Sequence, residues 1–379
     1  MWKSKLPRSR KQVSSLETLN RPIIGILTLH SKKPFEEPAF FRSLLKEGER
    51  LGAIVYLFSP KDVLAAERKI TGFVYTDKWV QKTFPWPDIV IDRHHYLSKS
   101  AAELEPYFTL RQQSLFRFAN HFLPDKLRLH GMLMHADFLR PRLPETLAYS
   151  PQELQRMLEK HEMVYLKPLK GTGGRGIVRL EMKNGNFLFH SRNRNRLMKH
   201  GKISSWNRLF EWLERWVSDG EFLIQQGLQL DIVSRHIADM RLLMQKDEQG
   251  MWRITGHGMR IGSKKSPTSN LHGGGRGILT HKILLPLFGH ERVEAIVSEC
   301  FTLAFETAKT IEDNCGPMME LGLDIGIDRQ GAVWLIEVNA MPARNLFKQM
   351  GQEHLYRLAV RRPLQYALFL LGAMQADSL

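Results

Sequence analysis

Two apolar runs late in the chain restrict its fold more than any other stretch. Leu321-Gly322-Leu323-Asp324-Ile325-Gly326-Ile327 and Ala332-Val333-Trp334-Leu335-Ile336-Glu337-Val338-Asn339 flank Asp328-Arg329-Gln330-Gly331. Short apolar runs on either side of a turn signal predict a hairpin of buried strands. With the four residues as the turn, Ile327 pairs with Ala332 and Asp324 lies opposite Leu335. Asp324, Glu337 and Asn339 then project from one sheet face, because strand side chains alternate. Three oxygen donors amid apolar neighbours are costly unless paired or metallated. Hard oxygens in that number suit Mg²⁺, with nucleotide phosphates completing an octahedron. The set contains no Cys or His, which argues against zinc. The inference depends on register, since a one-residue slip sends Asp324 to the other face. A strand pair whose polar residues merely face water is the plain alternative.

A glycine-rich element lies earlier. Met163 to Pro168 reads as a strand, and Gly171-Thr172-Gly173-Gly174-Arg175-Gly176 follows it. The spacing matches G-x-G-x-x-G, which in a dinucleotide site opens a helix. Here Ile177 to Met182, the turn Lys183-Asn184-Gly185-Asn186 and Phe187 to Phe189 follow instead. Asn-Gly between alternating runs signals a hairpin, so the loop joins two strands. It predicts a flap whose exposed backbone N–H groups take an anion. Lys167 beside it would be a fixed charge for a phosphate. A plain glycine-rich turn next to a solvated lysine is the other reading.

Between flap and late hairpin lies a cationic set. Asp239-Met240-Arg241 starts one strand, Arg260 ends the next, and Ser269-Asn270-Leu271-His272-Gly273-Gly274-Gly275 comes after. Arg241 and Arg260 would neutralise a terminal phosphate and a tetrahedral oxyanion. Asn270 would reach the phosphates or a metal, and the glycines permit close backbone approach to a ligand.

Composition narrows the partners. The 379 residues hold 55 Lys+Arg against 39 Asp+Glu, a net +16. Such a balance suits a nucleic acid, an acidic surface or a small polyanion such as a nucleotide. A C2H2 pattern, a heptad with a basic region and an RNP-like aromatic signature are all missing, so nucleic acid is the weakest of the three. Residues 1–20, with five Lys/Arg and one Glu, read as a flexible basic tail. That tail and Arg192-Asn193-Arg194-Asn195-Arg196 would touch an acidic surface. Two cysteines, Cys300 and Cys315, suit a reducing, cytoplasmic setting. No apolar stretch approaches the roughly 20 residues of a membrane span, and no apolar region follows the basic start as in a secretion signal.

The length predicts two or three domains. Ile23 to Thr28, Ala53 to Phe58 and Asp88 to Arg93 read as buried strands, with a helix around Phe41 to Leu51. This predicts a small α/β domain with a parallel sheet over residues 21–115. Arg93, at the end of its third strand, would face the cleft and pair a substrate carboxylate. Helices follow around Leu129 to Ala136, Gln152 to His161, Trp206 to Val217 and Glu291 to Glu312.

In this order, Lys126 in Asp-Lys-Leu-Arg, Lys167 before the flap, Asp239-x-Arg241, Arg260, the Asn270-Leu-His-Gly-Gly-Gly run and Asp324…Glu337-x-Asn339 resemble the ATP-grasp superfamily. The stretch after Arg260 is similar to that of glutathione synthetases and ribosomal-protein glutamate ligases. Pro87-Asp88-Ile89-Val90-Ile91-Asp92-Arg93 and Leu321 to Asp328 make residues 21–365 most similar to the YheC/YheD-type ATP-grasp proteins of spore-forming bacteria. The resemblance implies an α/β chain of ATP-grasp fold, with two α+β lobes clamping ATP behind the small parallel-sheet domain. The lobes would be residues 116–228, with the flap, and 229–370, with the metal site.

The resemblance also implies roles. Lys126 and Lys167 would contact the phosphates, and Gly171, Thr172, Gly173, Gly174 and Gly176 would close over them. Phe222 to Leu228 would hold adenine by backbone groups, with Gln225, Gln226 and Leu228 contributing, and Asp231 would bind ribose. Asp324, Glu337 and Asn339 would hold one or two Mg²⁺, with Mn²⁺ as a substitute. Several ATP-grasp ligases carry an Arg where this chain has Gly322, which leaves Arg260 for the oxyanion. The implied activity joins a small-molecule or peptide carboxylate to an amine through an acylphosphate. A second reading stays open: an ATP-binding, spore-coat-associated structural protein without turnover, its basic tail against a spore-coat partner.

Overall fold

The computed structural model describes residues 21–29, 35, 37–94, 101–171, 173–218, 220–234, 236–263, 266–269, 271 and 274–377. The basic tail, Thr172 and Asn270 lie outside the described residues. The first apolar runs form a sheet. Strand β1 (Ile23–Leu27) leads through helix α1 (Pro38–Arg50) to β2 (Ile54–Phe58), then β3 (Val63–Leu64), β4 (Lys69–Tyr75), β5 (Trp79–Pro85) and β6 (Ile89–Asp92). β1 is flanked in parallel by β2 and β6, which is the arrangement the strand–helix–strand alternation predicts. The hairpin β4–β5 adds an antiparallel edge that the sequence pattern does not announce. After α2 (Ala101–Gln112) the chain returns to β6. Val90 N–H donates to the Arg117 carbonyl and Ala119 N–H to the Val90 carbonyl, each at 2.8 Å.

The second sheet is antiparallel in the order β11-β10-β9-β8-β12-β7. It follows α3 (Lys126–Met134) and comprises β7 (Thr146–Ala148), α4 (Pro151–His161), β8 (Met163–Pro168), β9 (Ile177–Lys183), β10 (Asn186–Arg192), β11 (Met198–Ile203), α5 (Trp206–Val217) and β12 (Phe222–Gln226). Ser150 and Ser205 cap α4 and α5, accepting from Glu153 N–H and Arg208 N–H. Leu154, Met157 and Leu158 of α4 and Leu209 and Leu213 of α5 are fully buried against Val164, Leu166 and Ile224. Each such side chain contributes roughly 1.5–3 kcal/mol by leaving water.

The third sheet, order β15-β14-β13-β16-β17, holds β13 (Ala238–Lys246), β14 (Trp252–Ile261), β15 (Arg276–Ile278), β16 (Glu320–Ile327) and β17 (Val333–Asn339). Helices α6 (Thr280–Phe288) and α7 (His290–Cys315) cover one face of it. After α8 (Asn345–Gln349), the long α9 (Glu353–Asp377) runs back to the first sheet. There Val360, Leu364 and Ala367 pack with Ile24, Phe41 and Leu44. No described helix is long and apolar enough to cross a membrane, and both cysteines are free thiols.

The β16–β17 register departs from the simple hairpin. Asp328 belongs to the ladder, its N–H donating to the Ala332 carbonyl at 3.1 Å. The loop is therefore Arg329-Gln330-Gly331, three residues closed by Gly331 at φ +78. Ile327 pairs with Val333, not Ala332. Carried on unbroken, that register would set Asp324 opposite Ile336, on the wrong face. A bulge leaves Ile336 without a partner and sets Asp324 directly opposite Glu337, not Leu335.

One buried carboxylate links first and third sheets. Glu320 accepts from Arg93 Nη1 at 3.0 Å, from Gln245 Nε2 at 2.8 Å and from Arg344 Nη2. Arg93 also pairs with Glu37 at 2.9 Å, and it is 2% exposed. Its guanidinium thus faces these carboxylates and the Phe40 ring, not a cleft. Removing one partner from a buried ion network typically costs about 3–5 kcal/mol, because the remaining charges stay desolvated. Glu320→Ala is expected to lose that much, read as a lower urea midpoint at unchanged slope.

Candidate functional site

The flap and two lysines form the upper wall. Asp125 caps α3, its carboxylate accepting from Leu127 N–H at 3.1 Å and Arg128 N–H at 3.0 Å. This fixes Lys126 in the first turn. Its ammonium donates to the Gly171 carbonyl at 2.9 Å and the Pro168 carbonyl at 3.3 Å, and lies 3.7 Å from Glu337 Oε1. Residues 171–176 connect β8 to β9, so the loop joins two strands. Gly173 and Gly174 both sit at φ +69, a conformation that strains any other residue. Trp216 Nε1 holds the flap's end by donating to the Gly176 carbonyl at 3.2 Å.

Lys167, on β8, donates to the Gln225 side-chain carbonyl, and Gln225 Nε2 donates to Thr146 Oγ1 at 3.1 Å. Three neighbouring strands thus position one ammonium. Gln225 is occupied in that chain, so its side chain orients Lys167. Burial pushes Lys167 down to about 8; Glu337 opposes the shift, and Lys126 adds to it.

The lower wall is the third sheet. Arg241, Asp324 and Glu337 are register partners in one transverse row across β13, β16 and β17. Arg241 Nε donates to Asp324 Oδ1 at 2.6 Å. Arg260 grips Asp239 through Nε (2.7 Å) and Nη2 (2.5 Å), and its Nη2 lies 2.9 Å from Asp324 Oδ2. Burial alone would lower Arg260, but Asp239 and Asp324 outweigh it and raise it. Burial alone would raise Asp324, but Arg241 and Arg260 hold it below the usual carboxylate range. A Cβ on Gly322 would meet Arg241 Nη1 at 3.4 Å. A guanidinium from the neighbouring strand therefore lies over Gly322.

Three depressions converge here. A slot of about 70 Å³ is lined by Tyr165, Lys167, Gln226, Leu228, Arg260 and Asp324. A cavity of about 260 Å³ opens between the first sheet and the end of β17, with Asp92, Asn120, Phe122, Lys126, Asn339 and Met341 in its wall. Asp92 and Asn120 are held there by a pair of bonds: Asp92 N–H donates to Asn120 Oδ1 at 2.9 Å, and Asn120 Nδ2 donates to the Asp92 carbonyl at 3.0 Å. Asp231 lies in a neighbouring depression of about 490 Å³, paired with Arg329 at 2.7 Å.

Most residues expected from sequence thus meet: Lys126, Lys167, Gly171, Gln225, Gln226, Leu228, Arg241, Arg260, Asp324, Glu337 and Asn339. Asp231 stands apart from the slot. Asp239 and Thr146 were not singled out as site residues. The i, i+2 spacing of Asp239 and Arg241 on a strand is the signal that one face carries both charges. Among the described residues no three His, Cys, Asp or Glu side chains gather as a metal-binding group. Asp324, Glu337 and Asn339 offer two carboxylates and an amide on this face, beside the Asp239 carboxylate that Arg260 occupies, and Asp324 is already engaged by two guanidinium groups.

This combination defines a class. The D-alanine–D-alanine ligase of Coxiella burnetii superposes with a TM-score of 0.53 at 9% identity, covering 94% of this chain and 99% of that one. The fold is the ATP-grasp fold. Residues 115–370 match the model of the YheC/D-like ATP-grasp family, and the chain belongs to that family. The endospore coat-associated protein YheD of Bacillus subtilis is 27% identical over 92% of this chain and 79% of its own length. Its counterpart YheC is 26% identical over 89% and 94%.

The Lys167 ammonium has a measurable signature. Its folded value lies below that of an unfolded lysine, so it costs stability below about pH 8, and the cost is relieved as pH rises from there toward the ordinary lysine range. NMR titration of labelled lysines should find it near 8. Glu337→Gln should move it lower and Lys126→Met higher. Shifts of opposite sign would contradict the arrangement.

Proposed function

We propose that the protein is an ATP-dependent carboxylate–amine ligase that acts through an acylphosphate. The observation that carries this reading is the convergence of Lys167, Arg260, Asp324 and Glu337 on one slot beside a second, larger cavity. The slot is lined by the apolar Leu228 and Leu230 and by the cations Lys167 and Arg260, which suits a nucleotide with its base and phosphates in one groove. The donor set fits a hard cation, since among the described residues the carboxylate of Glu337 has no ion-pair partner nearer than the Lys126 ammonium at 3.7 Å, and it shares its face with Asp324 and Asn339. Asp324, Glu337 and Asn339 would hold Mg²⁺, which supplies charge neutralisation on the transferred phosphoryl group.

The remaining work belongs to the chain's own residues. Lys126 and Lys167 bind the phosphates, and the flap excludes water from an acylphosphate intermediate that would otherwise hydrolyse. A carboxylate substrate in the larger cavity meets the phosphate at the Glu337–Asn339 end of β17. Arg260, immobilised by Asp239, presents its guanidinium to the oxyanion formed when the amine attacks. Preorganisation by a buried partner makes that donor effective without side-chain rearrangement.

A second reading has its own support. The coat-associated names of the relatives, and the double engagement of Asp324 by Arg241 and Arg260, favour a spore-coat-associated nucleotide binder without turnover. One experiment separates the two. Purified protein with Mg²⁺ and ATP is screened for ADP release against pools of amino acids and peptides, with hydroxylamine present to trap an acylphosphate as hydroxamate. The ligase reading expects substrate-dependent ADP and hydroxamate, both reduced on the order of 100-fold by Glu337→Gln. Saturable ATP binding with no ADP from any pool would leave the silent binder.

A further inference from the structure

One cationic feature is left over by the nucleotide site. Residues 182–210 hold seven Lys/Arg and no Asp or Glu. They build β10, β11 and the start of α5, and β11 is the outermost strand of its sheet. Arg196, Lys199 and Lys202 are exposed and make no ion pair with the described residues. Leu197 and Met198, at the same turn, are 63% and 49% exposed. Arg192, below them, is buried, and its guanidinium is pushed down by burial and then by Arg196 and Arg175. Arg175 belongs to the flap, so the patch continues to the rim of the nucleotide site.

Edge strands are often guarded by one or two lysines against stray pairing. That role needs no concentration of like charge that repels itself and carries two exposed apolar side chains. We infer that the β10–β11 hairpin is a docking surface for an acidic polypeptide segment in extended conformation. Charge complementarity selects the acid. The open strand edge selects a polypeptide, because only a backbone can continue the ladder. The phenyl and indole rings of β10 and α5 are spent in packing: Phe187 against Trp206, Trp206 against Phe210, Phe189 against Trp212 and Trp212 against Trp216. Base-stacking platforms of the kind that single-stranded nucleic acids use are thereby taken. The inference goes beyond the ligase reading and does not depend on it.

The test is fluorescence anisotropy of the full chain with a fluorescein-labelled oligoglutamate peptide. Arg196→Glu/Lys199→Glu/Lys202→Glu is compared with Lys61→Glu/Lys82→Glu/Lys309→Glu, which makes the same change in net charge at exposed positions elsewhere. The expected result is binding that weakens with salt, reduced on the order of tenfold by the hairpin triple and within twofold of wild type for the control. Equal loss in both triples would reduce the effect to net charge and overturn the inference. So would an absence of oligoglutamate binding at low salt. Tighter, hairpin-dependent binding of an oligothymidylate or of phosphatidylglycerol vesicles would overturn the choice of partner. Thermal unfolding of both triples at the wild-type temperature ensures that a loss reports the surface.

Discussion

Glu320 is the point at which the chain becomes one structure. Its carboxylate is 2% exposed and serves three donors from three places: Arg93 at the end of the first sheet, Gln245 within the third, and Arg344 beyond β17. Arg344 passes the connection on, donating to the Pro342 and Ala359 carbonyls. The segment between Asn339 and α8 is thus tied to the same hub that anchors the first sheet. The larger cavity lies between those two parts, which the ion network joins. Buried networks of this kind add little net stability over apolar packing, but they fix one arrangement.

The same logic governs the proposed nucleotide site. Asp239, Asp324 and Glu337 face Lys126, Lys167, Arg241 and Arg260. Each guanidinium is held by an acid on an adjacent strand, and Lys167 by an amide. The cations are therefore in place before any ligand arrives, and their repulsion is already compensated. The acids leave a surplus of one positive charge, which favours a polyanion without leaving an isolated buried cation.

Much of this was legible in the residues, and the limits are instructive. Short apolar runs between turn signals located the buried strands of all three sheets, since burial on both faces leaves little else in the composition. Asn184-Gly185 declared its hairpin through a turn that needs two left-handed residues. The face shared by Asp324, Glu337 and Asn339 was correct while the pairing behind it was not. A three-residue loop and a bulge at Ile336 shift the register in compensating steps, and neither leaves a periodic mark. Arg93 read as a cleft residue because its partners, Glu37 and Glu320, are distant in sequence. The β4–β5 hairpin was missed because Lys69 to Pro85 carries mixed polarity on a half-exposed edge, where alternation is weak.

The closing of α9 over α1 has a consequence for how the molecule is made. Phe41, Leu44 and Ile24 find Leu364 and Ala367 only after α9 is synthesised, 320 to 343 positions later in the chain. A nascent first sheet therefore carries an uncovered apolar face through the synthesis of both lobes. Its completion is a long-range closure, slow by the entropy of the intervening loop. The first sheet is begun before the other two and covered after them, because they are folded between its two halves.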